Sequence, residues 1–152
     1  MALGARQDDV VQADEAAIRG LIHAYCERLD AGDFDGVAAL FERGVFRSPA
    51  GTHLEGSAAV RRMFDSVLRY GNGTPRTKHV LGTVVVDIGA AAAAARSHFT
   101  VFQQTATLPL QAVLSGRYHD RFVRVDGRWW FAERMVRPDL EGDLSAHMEG
   151  RG

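Results

Sequence analysis

Apolar residues along this chain change their spacing once, and that change decides what the chain can fold into. From Ile18 to Leu68 they recur every three or four positions, as on one face of a helix; beyond Thr77 they alternate, as in strands. Ile18, Leu21, Ile22, Tyr25, Cys26 and Leu29 form a helical stripe that ends near Ala31 and Gly32. Asp33 then caps a short second helix with Phe34, Val37, Ala38 and Phe41 on its buried side. Residues 44 to 48 and 52 to 55 flank the turn Pro49-Ala50-Gly51 as a short hairpin, and Ser57 caps a third helix carrying Val60, Met63, Phe64, Val67 and Leu68.

Residues 77 to 88, 96 to 106, 109 to 125 and 128 to 137 read as long strands rich in Val, Phe, Tyr, Trp and Thr, with a tight hairpin at Asp126-Gly127. The six alanines 90 to 95 favour helix on propensity alone, but Gly89 and the strand-like flanks favour a hairpin turn with small side chains. Helices first and strands last make an α+β domain. The expected form is a cone-shaped α+β barrel, in which three N-terminal helices pack on a strongly curved antiparallel sheet and enclose an apolar pocket.

A chain of 152 residues is long enough for one core, and no interdomain linker or repeat divides it. Residues 1 to 11 are polar and without a period, so they read as a flexible arm before a domain at 12 to 138 and a tail at 139 to 152. A net charge of -1 supplies no field for a phosphate backbone, which argues against nucleic acid. No signal-peptide core or membrane-length apolar run is present, and the single cysteine excludes an intramolecular disulfide, so a cytoplasmic protein off the membrane is expected.

Two residues stand out as chemistry. His79 opens the first long strand and by alternation shares a face with Leu81, Thr83 and Val85, while Lys78 points with Val80, Gly82 and Val84. Both faces are apolar, which places helices over one and a second subunit over the other, hence a homodimer or homotrimer through the outer sheet face. Asp30 lies in the last turn of its helix, against the negative end of the macrodipole, a placement disfavoured by roughly 0.3 to 1 kcal/mol. Either its carboxylate sits at the edge of the apolar arc in water or on the corner N–H groups, or it looks into the pocket. There low dielectric would raise its pKa and His79 would share its proton. Such a pair is a proton-transfer device, with imidazole as base and carboxylate as orienter.

The remaining signals are weaker. His23 reads as solvated, His53 and His147 as loop or tail residues, and His98 and His119 as strand residues on either face. No histidine pair has zinc spacing, so neither metal nor cofactor is expected. The chain has no nucleophile elbow and no phosphate-binding glycine loop, and Cys26 lies within the apolar stripe as a small buried thiol.

The succession "AIRGLIHAYCERLDAGDFDGVAALF", "GTHLEG" before "SAAVRRMF", "KHVLGTVVVDI", "SGRYHDRFVRVDGRWWF" and "RMVRPD" resembles the SnoaL-like family of the nuclear transport factor 2-like superfamily over residues 12 to 138. It is similar in particular to the branch holding scytalone dehydratase, hexachlorocyclohexane dehydrochlorinase and bile-acid dehydratase. The resemblance implies that His79 is the catalytic base and that Asp30 orients it and stabilises the imidazolium. It further implies that Tyr25 hydrogen-bonds a substrate oxygen and that Phe46 forms pocket wall. Phe64, Tyr118 and His98 complete the candidate substrate-binding set. The expected activity is that of a cofactor-independent lyase or isomerase, dehydratase-like, on a small hydrophobic and cyclic molecule. A polyketide-cyclase-like aldol enzyme and a non-catalytic ligand-binding or dimerisation module of the same fold stay open beside it.

Overall fold

In a computed structural model, residues 2–150 are described, with side chains from Gln7 onward. Three helices, α1 (Ala2–Asp30), α2 (Phe34–Ala39) and α3 (Gly56–Met63), precede or interrupt a sheet of β1 (Val45–Arg47), β2 (His53–Glu55), β3 (Thr77–Ile88), β4 (Ala92–Gln103), β5 (Gln111–Val125) and β6 (Arg128–Glu141). The α+β class is as expected. The sheet order is β2-β1-β6-β5-β4-β3, open at both edges. It is antiparallel except that β1 pairs parallel with β6, because the chain enters β1 from the helices rather than from a hairpin with its neighbour.

The stripe on α1 does what its spacing implies: Ile18 and Ile22 are fully buried, and Tyr25, Cys26 and Leu29 nearly so. The helix runs further back than the stripe, through residues read as an arm. Residues 7 to 13 are exposed, and turns that bury nothing leave no apolar period to read. At the other end Gly32, at φ 74°, forms a Schellman-type stop in which Asp33 N–H reaches the Arg28 carbonyl and Gly32 N–H the Leu29 carbonyl. Asp33 Oδ1 then accepts the Gly36 N–H at 2.8 Å and starts α2. The third helix is shorter than its apolar pattern: a 3₁₀ turn, Phe64–Ser66, ends it, and Val67 bridges to Met148.

The alanine run is divided between a turn and a strand. Gly89 N–H closes on the Ala92 carbonyl, and Ala93 and Ala95 enter the buried face of β4. On β3 the simple alternation fails. Leu81 pairs with Phe99 and Val84 with Ser97, so Gly82 and Thr83 together oppose His98 in a β-bulge. Glycine in a strand interior is the local cause. The inner face therefore carries His79 and Leu81 and then Val84, Val86 and Ile88, whereas Thr83 and Val85, expected beside His79, turn outward. On the outer face Val80 and Val85 are 51% and 46% exposed, yet exposed Arg96, Arg117, Arg121 and Arg137 lie across the same face. The exposed large apolar residues of the long strands are Val80 and Val85 on β3 and Leu140 at the end of β6.

Candidate active site

The last residue of α1 and the first residues of β3 meet. Asp30 Oδ1 lies 2.6 Å from His79 Nδ1 and accepts the Thr77 hydroxyl at 2.8 Å, while Oδ2 accepts the His79 backbone N–H at 2.8 Å. The side chains are 11% and 7% exposed, respectively. The approach to β3 is tightly turned: Arg76 adopts φ 57°, unfavourable by about 1–2 kcal/mol for a residue with a Cβ, and its Nε donates to the Gln104 carbonyl at 2.8 Å.

Burial pushes the Asp30 carboxyl up, and the His79 side chain, its charge and backbone N–H, and the Thr77 hydroxyl more than reverse this, holding it below its ordinary value. This corrects the expectation of a raised pKa. An ionised carboxylate only accepts, so His79 Nδ1 carries the proton and Nε2 is left as the basic nitrogen.

Beside this pair the helices and sheet enclose a cavity of about 160 Å³, reached by His79. Of the candidates, Tyr25, Phe46, Phe64 and Tyr118 all line it. Asp30 does not; it stands behind His79, bordering an outer groove with His23, Glu27 and Lys78. His98 is excluded. It follows inward-facing Ser97 on β4 and is exposed on the outer face, because alternation gives adjacent strand residues opposite sides.

Tyr25 and Tyr118 meet edge to face at 5.8 Å between ring centroids, and Tyr118 stacks on Phe99 at 4.3 Å. Burial raises both phenols well above their ordinary pKa, so each keeps its O–H as a donor. Under them lies Arg134, fully buried with Asp120 in a two-pronged ion pair of 2.8 Å contacts. Its guanidinium is 3.9 Å from the Tyr118 ring centroid and 4.2 Å from that of Tyr25. Burial works against the Arg134 charge, and the Asp120 carboxylate more than offsets that. Neither residue is legible as a site feature in sequence, where "HDRF" and "AERM" read as ordinary alternating strands.

The C-terminal segment supplies the missed residue. After β6 the chain returns across the 3₁₀ turn that ends α3: Leu68 N–H bonds the His147 carbonyl, Glu149 N–H the Ser66 carbonyl, and Gln103 Nε2 the Ala146 carbonyl at 2.9 Å. His147 and Met148 thereby become cavity wall. A histidine in an aperiodic tail carries no sequence signal for this.

Burial, first, and the neighbouring His79 charge lower the His147 pKa to about 4. Burial pushes the Cys26 thiol up to about 11, which removes it as a nucleophile near neutral pH. Among the described residues no cluster of His, Cys, Asp or Glu side chains has the arrangement of a metal site, and no helix is long and apolar enough to cross a membrane.

Comparison with known proteins follows the same lines. The profile of the SnoaL-like domain matches residues 11–135. A Mycobacterium tuberculosis protein of unknown function is 26% identical with a TM-score of 0.75, the match covering 90% of this chain and 82% of that one. A candidate scytalone dehydratase from Novosphingobium aromaticivorans is also 26% identical, with a TM-score of 0.72 over 88% and 89% of the two chains. An NTF2-like protein of cystatin-like fold from the same organism, at 24% identity and TM-score 0.75 over 95% and 92%, shares the fold. No curated protein matches the chain.

Proposed function

The chain belongs to the SnoaL-like domain family, and from that premise we propose that it is a cofactor-independent lyase or isomerase, dehydratase-like, acting on a small hydrophobic cyclic molecule. The observation that carries this reading is the two-point grip of Asp30 on His79, with the His79 ring at the cavity wall. Likeness to a candidate scytalone dehydratase supports it.

In a dehydration, His79 Nε2 takes the proton from a carbon beside a carbonyl, and the C–H electron pair moves toward the carbonyl oxygen as an enolate. The enolate then expels the neighbouring hydroxyl, which leaves as water with the proton returned from the imidazolium. Asp30 holds the ring in one tautomer and stabilises its charge while the proton is held. Tyr25 or Tyr118 donates an O–H to the substrate oxygen. An aldol closure would use the same base. The same reading makes this a cytoplasmic protein that pairs as a homodimer or homotrimer over the outer face of β3, where Val80 and Val85 are exposed.

The test is a panel of cyclic β-hydroxyketones, followed by the absorbance of the conjugated enone formed. Turnover should fall by about 10²–10⁴-fold in both Asp30→Asn and His79→Ala, with cooperative melting and binding of the hydroxyketone retained. Turnover retained in both variants would overturn the assignment of His79 as base and Asp30 as its orienter, and no turnover by wild type on the panel would overturn the enzyme reading. Loss of folding in both variants would support a structural pair in a binding module instead.

A further inference from the structure

We propose that His147 is a second polar contact of the site, donating a hydrogen bond from its imidazole to a carbonyl oxygen of the substrate. The inference rests on the reading of the cavity as the substrate site. His147 lines the same cavity as His79, yet its Nδ1 is buried and has no hydrogen-bond partner. A buried polar nitrogen without a partner is costly, so its presence calls for a partner that the free protein lacks.

Its backbone is fully engaged. The N–H bonds the Leu144 carbonyl at 2.9 Å and the carbonyl receives the Leu68 N–H at 2.9 Å, which fixes the residue against the segment that follows α3 and leaves the ring Nδ1 uncommitted. The charged and titratable neighbours acting on it are His79 and Asp30, and the ring is uncharged near neutral pH. A neutral imidazole offers one donor and one acceptor, which suits a carbonyl that gains charge as His79 withdraws the adjacent proton. The two histidines then divide the work: His79 takes the proton, and His147 holds the oxygen on which charge collects.

The hydroxyls already on the cavity wall, those of Tyr25, Tyr118 and Thr77, make it necessary to isolate the His147 contribution. Cyclohexanone and methylenecyclohexane serve as probes, since they share a ring and differ in an oxygen against a CH₂. Their dissociation constants are measured by NMR titration against wild type, His147→Leu and His147→Asn.

The ratio of the two constants should shift by about tenfold against the ketone in His147→Leu. It should stay near wild type in His147→Asn, whose amide N–H takes the place of the ring N–H. An unchanged ratio in His147→Leu, including an equal loss for both probes, means that the residue is only a structural wall and overturns the proposal. Failure of wild type to bind either probe overturns the pocket reading itself. Retained turnover in Asp30→Asn would remove the Asp30–His79 mechanism while leaving the His147 contact to be read from the ratio.

Discussion

Asp30 binds His79 twice, through the ring Nδ1 at 2.6 Å and through the backbone N–H at 2.8 Å, so one carboxylate fixes both the tautomer of the ring and the position of the strand carrying it. The macrodipole penalty at the end of α1 is small beside these charge-assisted bonds, each worth about 1.5–3 kcal/mol. Asp30→Asn keeps an oxygen for Thr77 or the backbone N–H but can hold His79 in the wrong tautomer. It should lower the urea midpoint modestly, while Asp30→Ala should cost about 2–4 kcal/mol, measured by equilibrium denaturation. Equal stability for wild type and the alanine variant would mean that the pair contributes nothing to the fold.

His147 and Asp30 impose opposite demands on acid stability only in mechanism, not in direction. The His147 pKa falls from 6.5 to about 4 on folding, so the unfolded chain binds the proton more readily and stability drops as pH falls through that window. The loss is up to about 3 kcal/mol at about 1.4 kcal/mol per pKa unit. Asp30, held below its ordinary 3.8, adds stability that is present above that value and disappears only at lower pH. Thermal melts from pH 7 to 4 should therefore show a steeper decline for wild type than for His147→Asn. Parallel curves would contradict the burial of this ring.

The Arg134–Asp120 pair is wholly buried, and removing one partner strands the other charge. Arg134→Met and Asp120→Leu should each destabilise by about 3–5 kcal/mol, and the double variant by clearly less than their sum. Additive losses in a double-mutant cycle would show that the two charges are not coupled.

The bulge at Gly82 and Thr83 sets which valines of "TVVVDI" face inward. Deleting Thr83 removes the bulge and leaves Val84, Val86 and Ile88 inward by plain alternation from Leu81, so the variant should keep a cooperative transition by circular dichroism, and its loss would show that the bulge itself is needed for the fold. Gly82→Ala should be mild by the same measurement, since an added Cβ would meet only His98, at ordinary contact distances of 3.5 Å to its Cβ and 3.9 Å to its carbonyl oxygen.

What the sequence revealed and what it concealed divide by mechanism. The α1 stripe, the Asp33 cap and the long strands were legible because burial and capping leave a local pattern. So was the Asp30–His79 partnership, since an acid at the wrong end of a helix needs a partner. The bulge was not, because one inserted residue leaves composition unchanged while inverting every later position. His98 was placed on either face for want of a register, and Ser97 and Phe99 settle it. Arg134, Asp120 and His147 are defined by contacts between distant segments, and no spacing within a segment announces them.

The same bulge bears on how the folded chain behaves in a crowd of its own copies. β3 is a free edge of the sheet and carries three consecutive valines, a segment that could template a strand from another molecule. The bulge interrupts its flat row of hydrogen-bonding groups, Lys78 and Asp87 place charges near its two ends, and Arg19 of α1 donates to the Val84 carbonyl at 3.3 Å. The irregularity that keeps Val84, Val86 and Ile88 inward thus also guards the sheet edge against aggregation.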